Sequence, residues 1–162
     1  MKPPAKTNAA RALDALGIAY ELRAYDVDED DLSAETVAAK VNLPLEAVWK
    51  TLCLRADDKS LLFALVSADR ELDPKACARV AGKKSVEPVA VKELLGLTGY
   101  IRGGVTALAA KKPLPVVVDE LMGLCDTVSV SAGQRGLQLI VAPADYLRAT
   151  GAIVGAISRA PV

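Results

Sequence analysis

Two apolar runs, Trp49–Arg55 and Leu61–Ser67, stand on either side of the polar stretch Asp57-Asp58-Lys59-Ser60. Strand-length runs separated by turn residues read as an antiparallel hairpin with a moderately long loop. A central hairpin obliges the flanking segments to extend its sheet or cover its faces. The N-terminal flank supplies helices: Thr7 caps one running to Gly17, with Ala10, Leu13 and Leu16 as its apolar stripe, and Ser33 caps another through about Val41. Between them Tyr20–Tyr25 alternates as a strand, and Asp26, Asp28, Glu29, Asp30 and Asp31 form a solvated acidic loop. Pro44 suits the first position of a short helical turn, where a missing N–H costs nothing.

Beyond the hairpin, Asp73-Pro74 combines a cap with a first-turn proline and opens a helix ending near Gly82. A small helix is expected over Val89–Leu95. Val116–Val118 and Thr127–Ser131 read as buried strands, Leu137–Val141 as a strand, Pro143–Thr150 as a helix and Ile153–Ile157 as a closing strand. Helices and strands mix without a regular βαβ repeat, which predicts an α+β fold around a mixed, curled sheet. With 162 residues and no linker or internal repeat, a single domain over residues 1–162 is expected.

Composition narrows the function. At 52% hydrophobic residues the chain can bury enough surface to order itself, and no run of about 18 apolar residues is free of charges or turns. The lead-in Met1-Lys2-Pro3-Pro4 has no apolar stretch behind it, so a cytoplasmic location and no membrane partner are expected. The 20 basic and 20 acidic residues balance, so any contact with nucleic acid is local or shared with another protein. Histidine is absent, which removes Ser-His-Asp and Cys-His catalysis. Cys53, Cys77 and Cys125 are widely spaced, so they read as free thiols, not as zinc ligands.

Three features could carry chemistry. Lys50 opens an apolar strand, where a charge is costly to desolvate unless it has a partner or a role. By pattern alone, a strand-end lysine snorkelling to water is the better reading. Gly103-Gly104, within Gly99–Thr106, could bring backbone N–H groups to an oxygen, though by pattern alone an ordinary turn is the better reading. Ser131, Gly133 and Arg135 follow a strand and suit a loop beside a ligand or a plain hairpin equally. Lys83-Lys84 and Lys111-Lys112 read as solvated faces.

Taken together, these segments resemble the YbaK/EbsC family of free-standing editing deacylases and prolyl-tRNA synthetase editing insertions. The resemblance runs from Lys6-Thr7 through Ile157. It is carried by Val48-Trp49-Lys50-Thr51-Leu52, by Thr98-Gly99-Tyr100 with Gly103-Gly104, by Lys111-Lys112-Pro113-Leu114-Pro115 with Asp119, and by Val130-Ser131 with Gly133 and Arg135-Gly136-Leu137. The resemblance implies a barrel-like mixed sheet flanked by helices, no cofactor, and release of cysteine from mischarged Cys-tRNA(Pro). The substrates it implies are an aminoacyl-tRNA acceptor end, with prolyl-tRNA synthetase as a partner. It places the essential lysine at Lys50, a supporting tyrosine at Tyr20, and a hydroxyl at Thr51. The glycine loop falls on Gly103 and Gly104, and the late loop on Ser131, Gly133 and Arg135. In the family's chemistry the substrate's own thiol attacks the ester and leaves as a thiolactone. This chain departs from the family pattern at Ala107, where a proline is usual, near Ser33, where an aromatic stands, and at Gln138, where an acid stands. Those departures keep Ala- or Ser-tRNA with a water nucleophile as an alternative; a non-catalytic tRNA- or synthetase-binding module is a second, against which the retained Lys50, Gly103 and Gly104 count.

Overall fold

The computed structural model describes residues 4–162; Met1, Lys2 and Pro3 of the polar lead-in lie outside the described residues. Strand β1 (Tyr20–Ala24) follows helix α1 (Asn8–Ala15), and helix α2 (Ala34–Val41) precedes the hairpin of β2 (Trp49–Ala56) and β3 (Leu61–Ser67). A two-residue strand β4 (Glu71–Leu72), helix α3 (Pro74–Ala81), strand β5 (Val86–Pro88) and helix α4 (Leu94–Thr98) come next. The chain then runs through β6 (Val116–Asp119), β7 (Val128–Ser131), β8 (Leu137–Val141), helix α5 (Pro143–Thr150), β9 (Ile153–Gly155) and β10 (Ser158–Arg159).

The caps act as their side chains dictate. The oxygens of Thr7, Ser33 and Asp73 accept the N–H groups of Ala10, Thr36 and Ala76 at 3.2, 3.3 and 3.1 Å, each satisfying an otherwise orphaned first-turn donor. Leu16 is an exception to the expected stripe. It sits at the C-cap of α1 and is 48% exposed, while Ala9, Ala10 and Leu13 are buried instead. Pro44 precedes the 3₁₀ turn Leu45–Ala47 as its cap rather than occupying its first position. The helix expected over Val89–Leu95 begins later, as a 3₁₀ turn at Val91–Glu93 that leads into α4.

Five strands form a mixed sheet in the order β5-β2-β3-β6-β9, antiparallel around β2 and parallel where β6 meets β3 and β9. Strands β1, β8 and β7 form an antiparallel sheet, and a parallel bridge between Val48 and Ser129 joins the two sheets into a curled wall that is barrel-like without closing. Strand β3 reads as an unbroken apolar run because both of its faces are covered. Phe63 and Leu65 enter the main core with Trp49, Val130, Leu139 and Tyr146. Leu62, Ala64 and Val66 pack on the opposite side against Cys77 and Ala78 of α3 and Ile157. Among the described residues, no helix is long and apolar enough to cross a membrane.

Candidate active site

Strand β2 is only partly covered on its outer edge. Strand β5 pairs with Leu54–Ala56, and the Val89 N–H reaches the Cys53 carbonyl at 3.1 Å. The bonds Ala56 N–H to Ser60 O and Ala68 N–H to Val48 O bracket the hairpin and assign its narrow pairs to even-numbered β2 residues. The N–H and C=O of Thr51 therefore point to the open edge, away from β3. A cavity of about 350 Å³ lies along that edge, between α2, the glycine loop and the polar face of β7 and β8. Its volume falls in the range of small-molecule clefts.

Lys50, Thr51, Gly103 and Ser131 all line this cavity. Alternation along β2 sends the side chains of Lys50 and Thr51 to opposite faces, and both residues line the cavity because it follows the strand edge. Lys50 lies on the face of Leu52 and Leu54, past the end of that apolar cluster. Its ammonium donates to the Arg70 carbonyl at 2.7 Å. Among the described residues no carboxylate lies within ion-pair distance of it. The Thr51 hydroxyl is buried and has no partner, a costly state for a polar group.

The glycine loop divides its roles. Gly103 lines the cavity, and its positive φ of 87° is a conformation that residues with side chains rarely adopt. Gly104 is buried, and its N–H already donates to the Ile101 carbonyl at 2.8 Å, so it can reach a substrate oxygen only by giving up that bond. What requires a glycine there is packing: a Cβ would stand 3.0 Å from the Gln134 Cα. The late loop is pressed against this one. Arg135 donates to the Arg102 carbonyl at 2.8 Å and pairs with Glu29, tying the acidic loop, the glycine loop and the late loop into one rim. Gly133 backs onto the Tyr100 ring. Neither Arg135 nor Gly133 lines the cavity, and Tyr20 also stands outside it, with its hydroxyl donating to Asp14 at 2.9 Å.

Sequence reasoning passed over most of the lining. Trp49, Val37, Val89, Leu94 and Arg102 contribute apolar walls and a cation at the rim, and nothing in their local pattern distinguishes them from core or surface positions. Ser33 and Gln138, two of the three departures from the family pattern, do line the cavity, whereas Ala107 packs against the main core. Gln138 projects from the same face as Ser129 and Ser131, and its amide oxygen accepts the buried Ser129 hydroxyl at 2.8 Å.

None of the three cysteines is an activated nucleophile. Cys53 lines the cavity, but burial raises its thiol above the ordinary range, and Cys125 lines a separate cavity with its thiol likewise raised by burial. Cys77 lies on the buried face of α3, and burial pushes its thiol up to about 11. At neutral pH none of the three is appreciably thiolate, the form that attacks.

Residues 28–149 match the family described as aminoacyl-tRNA editing domain. A protein of Enterococcus faecalis, EbsC, named as a candidate Cys-tRNA(Pro)/Cys-tRNA(Cys) deacylase, is 35% identical over 149 residues, covering 92% of this chain and 91% of that protein. A proline–tRNA ligase from a Sulfurihydrogenibium species is 31% identical over 116 residues, which is 72% of this chain and 20% of the ligase. Among solved structures, a hypothetical protein superposes with a TM-score of 0.85 at 24% identity, over 94% of this chain and all of that one. The crystal structure of a candidate trans-editing enzyme for prolyl-tRNA synthetase superposes with a TM-score of 0.80 at 24% identity, over 96% and 99% of the two chains.

Proposed function

The chain belongs to the aminoacyl-tRNA editing domain family, and from that premise we propose that it works as a single cytoplasmic domain, releasing cysteine in trans from mischarged Cys-tRNA(Pro). The observation that carries this reading is that one small cavity is lined by both Lys50, whose ammonium has no carboxylate partner among the described residues, and Thr51, whose backbone N–H points to the same open strand edge. An editing site must stabilise charge on the ester or on the departing ribose oxygen, and a fixed cation in a cavity sheltered from water does this efficiently.

The nucleophile is the substrate's own thiol. Its sulfur bonds to the ester carbon, and negative charge passes to the carbonyl oxygen. Collapse breaks the bond from that carbon to the ribose 3′-oxygen, which leaves with the thiol proton, so the products are a thiolactone and free tRNA. Holding thiol and ester together supplies much of the acceleration, up to ~7–11 kcal/mol in well-oriented cases. Lys50 supplies charge near the departing oxygen, and the open-edge N–H of Thr51 is placed to donate to the carbonyl oxygen. The chain's net charge of zero supports weak intrinsic grip on RNA and tRNA affinity borrowed from the synthetase.

The test is release of amino acid from Cys-, Ala- and Ser-charged tRNA(Pro) at substoichiometric protein, with and without prolyl-tRNA synthetase. Multiple turnovers on the cysteinyl substrate are expected, with Lys50→Ala lowering kcat by about 10²–10³-fold, the usual loss for one preorganised charge. Near-normal turnover by Lys50→Ala refutes the role given to that residue. Release from the alanyl or seryl substrate alone would replace the thiol mechanism with a water-dependent one.

A further inference from the structure

We infer that Arg70 is a positioning residue for the Lys50 ammonium, held in place by the C-terminal strand through Ser158 and, behind it, Asp119. This rests on the reading of Lys50 as the working charge of the site. A lysine carries its charge on a flexible four-carbon stem, so something must choose one of its many rotamers. Here the 2.7 Å bond to the Arg70 carbonyl makes that choice.

The carbonyl is itself over-determined. The Arg70 N–H closes a turn onto Ser67 O at 3.1 Å. The Arg70 side chain clamps a residue 88 positions away, Nε donating to the Ser158 hydroxyl at 2.7 Å and a terminal nitrogen to the Ser158 carbonyl at 3.3 Å. Ser158 pairs with Leu72 across the β4–β10 ladder. Asp119 anchors that strand from the end of β6: one carboxylate oxygen accepts the N–H groups of Ile157 and Ser158 at 2.9 and 3.0 Å, and the residue is only 2% exposed. Asp119 does not line the cavity. This path gives a physical role to a motif residue that the chemistry does not use directly.

Displacing a reacting group by about 1 Å can cost on the order of 10²-fold. Arg70→Ala is therefore expected to lower kcat about 10–100-fold while KM stays within about two-fold. Ser158→Ala removes one acceptor and is expected to give a smaller loss in the same direction, and Ser158→Thr, which keeps the hydroxyl, to restore it. The readout that separates positioning from stability is amine-labelling of folded protein well below its melting temperature, followed residue by residue by mass spectrometry. In Arg70→Ala, Lys50 should label several-fold faster while exposed Lys92 is unchanged. Unaltered kcat in Arg70→Ala, or unaltered Lys50 labelling, overturns the inference. Retained turnover in Lys50→Ala would instead sink the catalytic reading of Lys50, and the labelling arm would still report on the contact.

Discussion

Gly104→Ala separates packing from chemistry at the glycine loop. Because its N–H is already bonded within the loop, the need for glycine comes from the three atoms that an added Cβ would meet. These are the Cα and carbonyl carbon of Gln134 and the nitrogen of Arg135, at 3.0, 3.2 and 3.3 Å. All are backbone atoms, which cannot rotate aside as a side chain does. The late loop must move as a unit, and it is held by Arg135 to Arg102 and Glu29. Overpacking of this kind costs about 1–3 kcal/mol. In a chain of this length each kcal/mol shifts the melting temperature by roughly 2–4 °C, so the variant is expected to melt about 2–12 °C lower. Since the shifted loops form the cavity rim, kcat/KM should also fall by about 10-fold. Gly96→Ala is the internal control: an added Cβ meets nothing within 4 Å, in a helix, so a gain of about 0.4–1 kcal/mol is expected. Thermal unfolding of both variants, with deacylation measured alongside, decides the matter. If Gly104→Ala melts with the wild type and keeps full activity, the close approach of the two loops is not what demands a glycine.

Two further substitutions test the orphaned hydroxyls. Thr51→Val removes a buried, partnerless hydroxyl, so urea unfolding should show stability unchanged or raised by about 1 kcal/mol, while KM for the charged tRNA rises up to about 10-fold. Lost stability with an unchanged KM would mean that the hydroxyl serves the fold and not the substrate. Tyr146→Phe should stabilise by about 1 kcal/mol without touching kinetics, because that hydroxyl is fully buried without a partner and lies in the core, away from the cavity. Destabilisation by a similar amount would show that the hydroxyl is bonded after all.

Helix starts were legible because a capping oxygen and its target N–H lie within three residues of each other, as at Ser33 and Asp73. The hairpin was legible for the same local reason. The two-residue strands β4 and β10 were not, since neither Glu71-Leu72 nor Ser158-Arg159 carries a pattern, and each is a strand only because the other pairs with it. The expected closing strand is interrupted after Gly155 because the N–H groups of Ile157 and Ser158 turn to the Asp119 carboxylate.

At the site, residue types by themselves favoured a solvated lysine at Lys50 and a plain turn at Gly103, and only the family resemblance singled out Lys50, Thr51, Gly103 and Ser131 together, all four of which line the cavity. Tyr20, Gly104, Gly133 and Arg135 came with the same resemblance yet do not line the cavity, and Ser33 and Gln138 do. Motif membership records which residues accompany one another along the chain. Facing a cavity depends on which strand edge is left unpaired and which loops press together. The sequence by itself therefore determined the central hairpin and most helix starts, which local physics sets, while the chemical class came from the order of motifs shared with a family. The tertiary structure alone decided which face each residue presents and that Lys50 is held by a carbonyl 20 residues away, because such contacts arise from packing between distant segments.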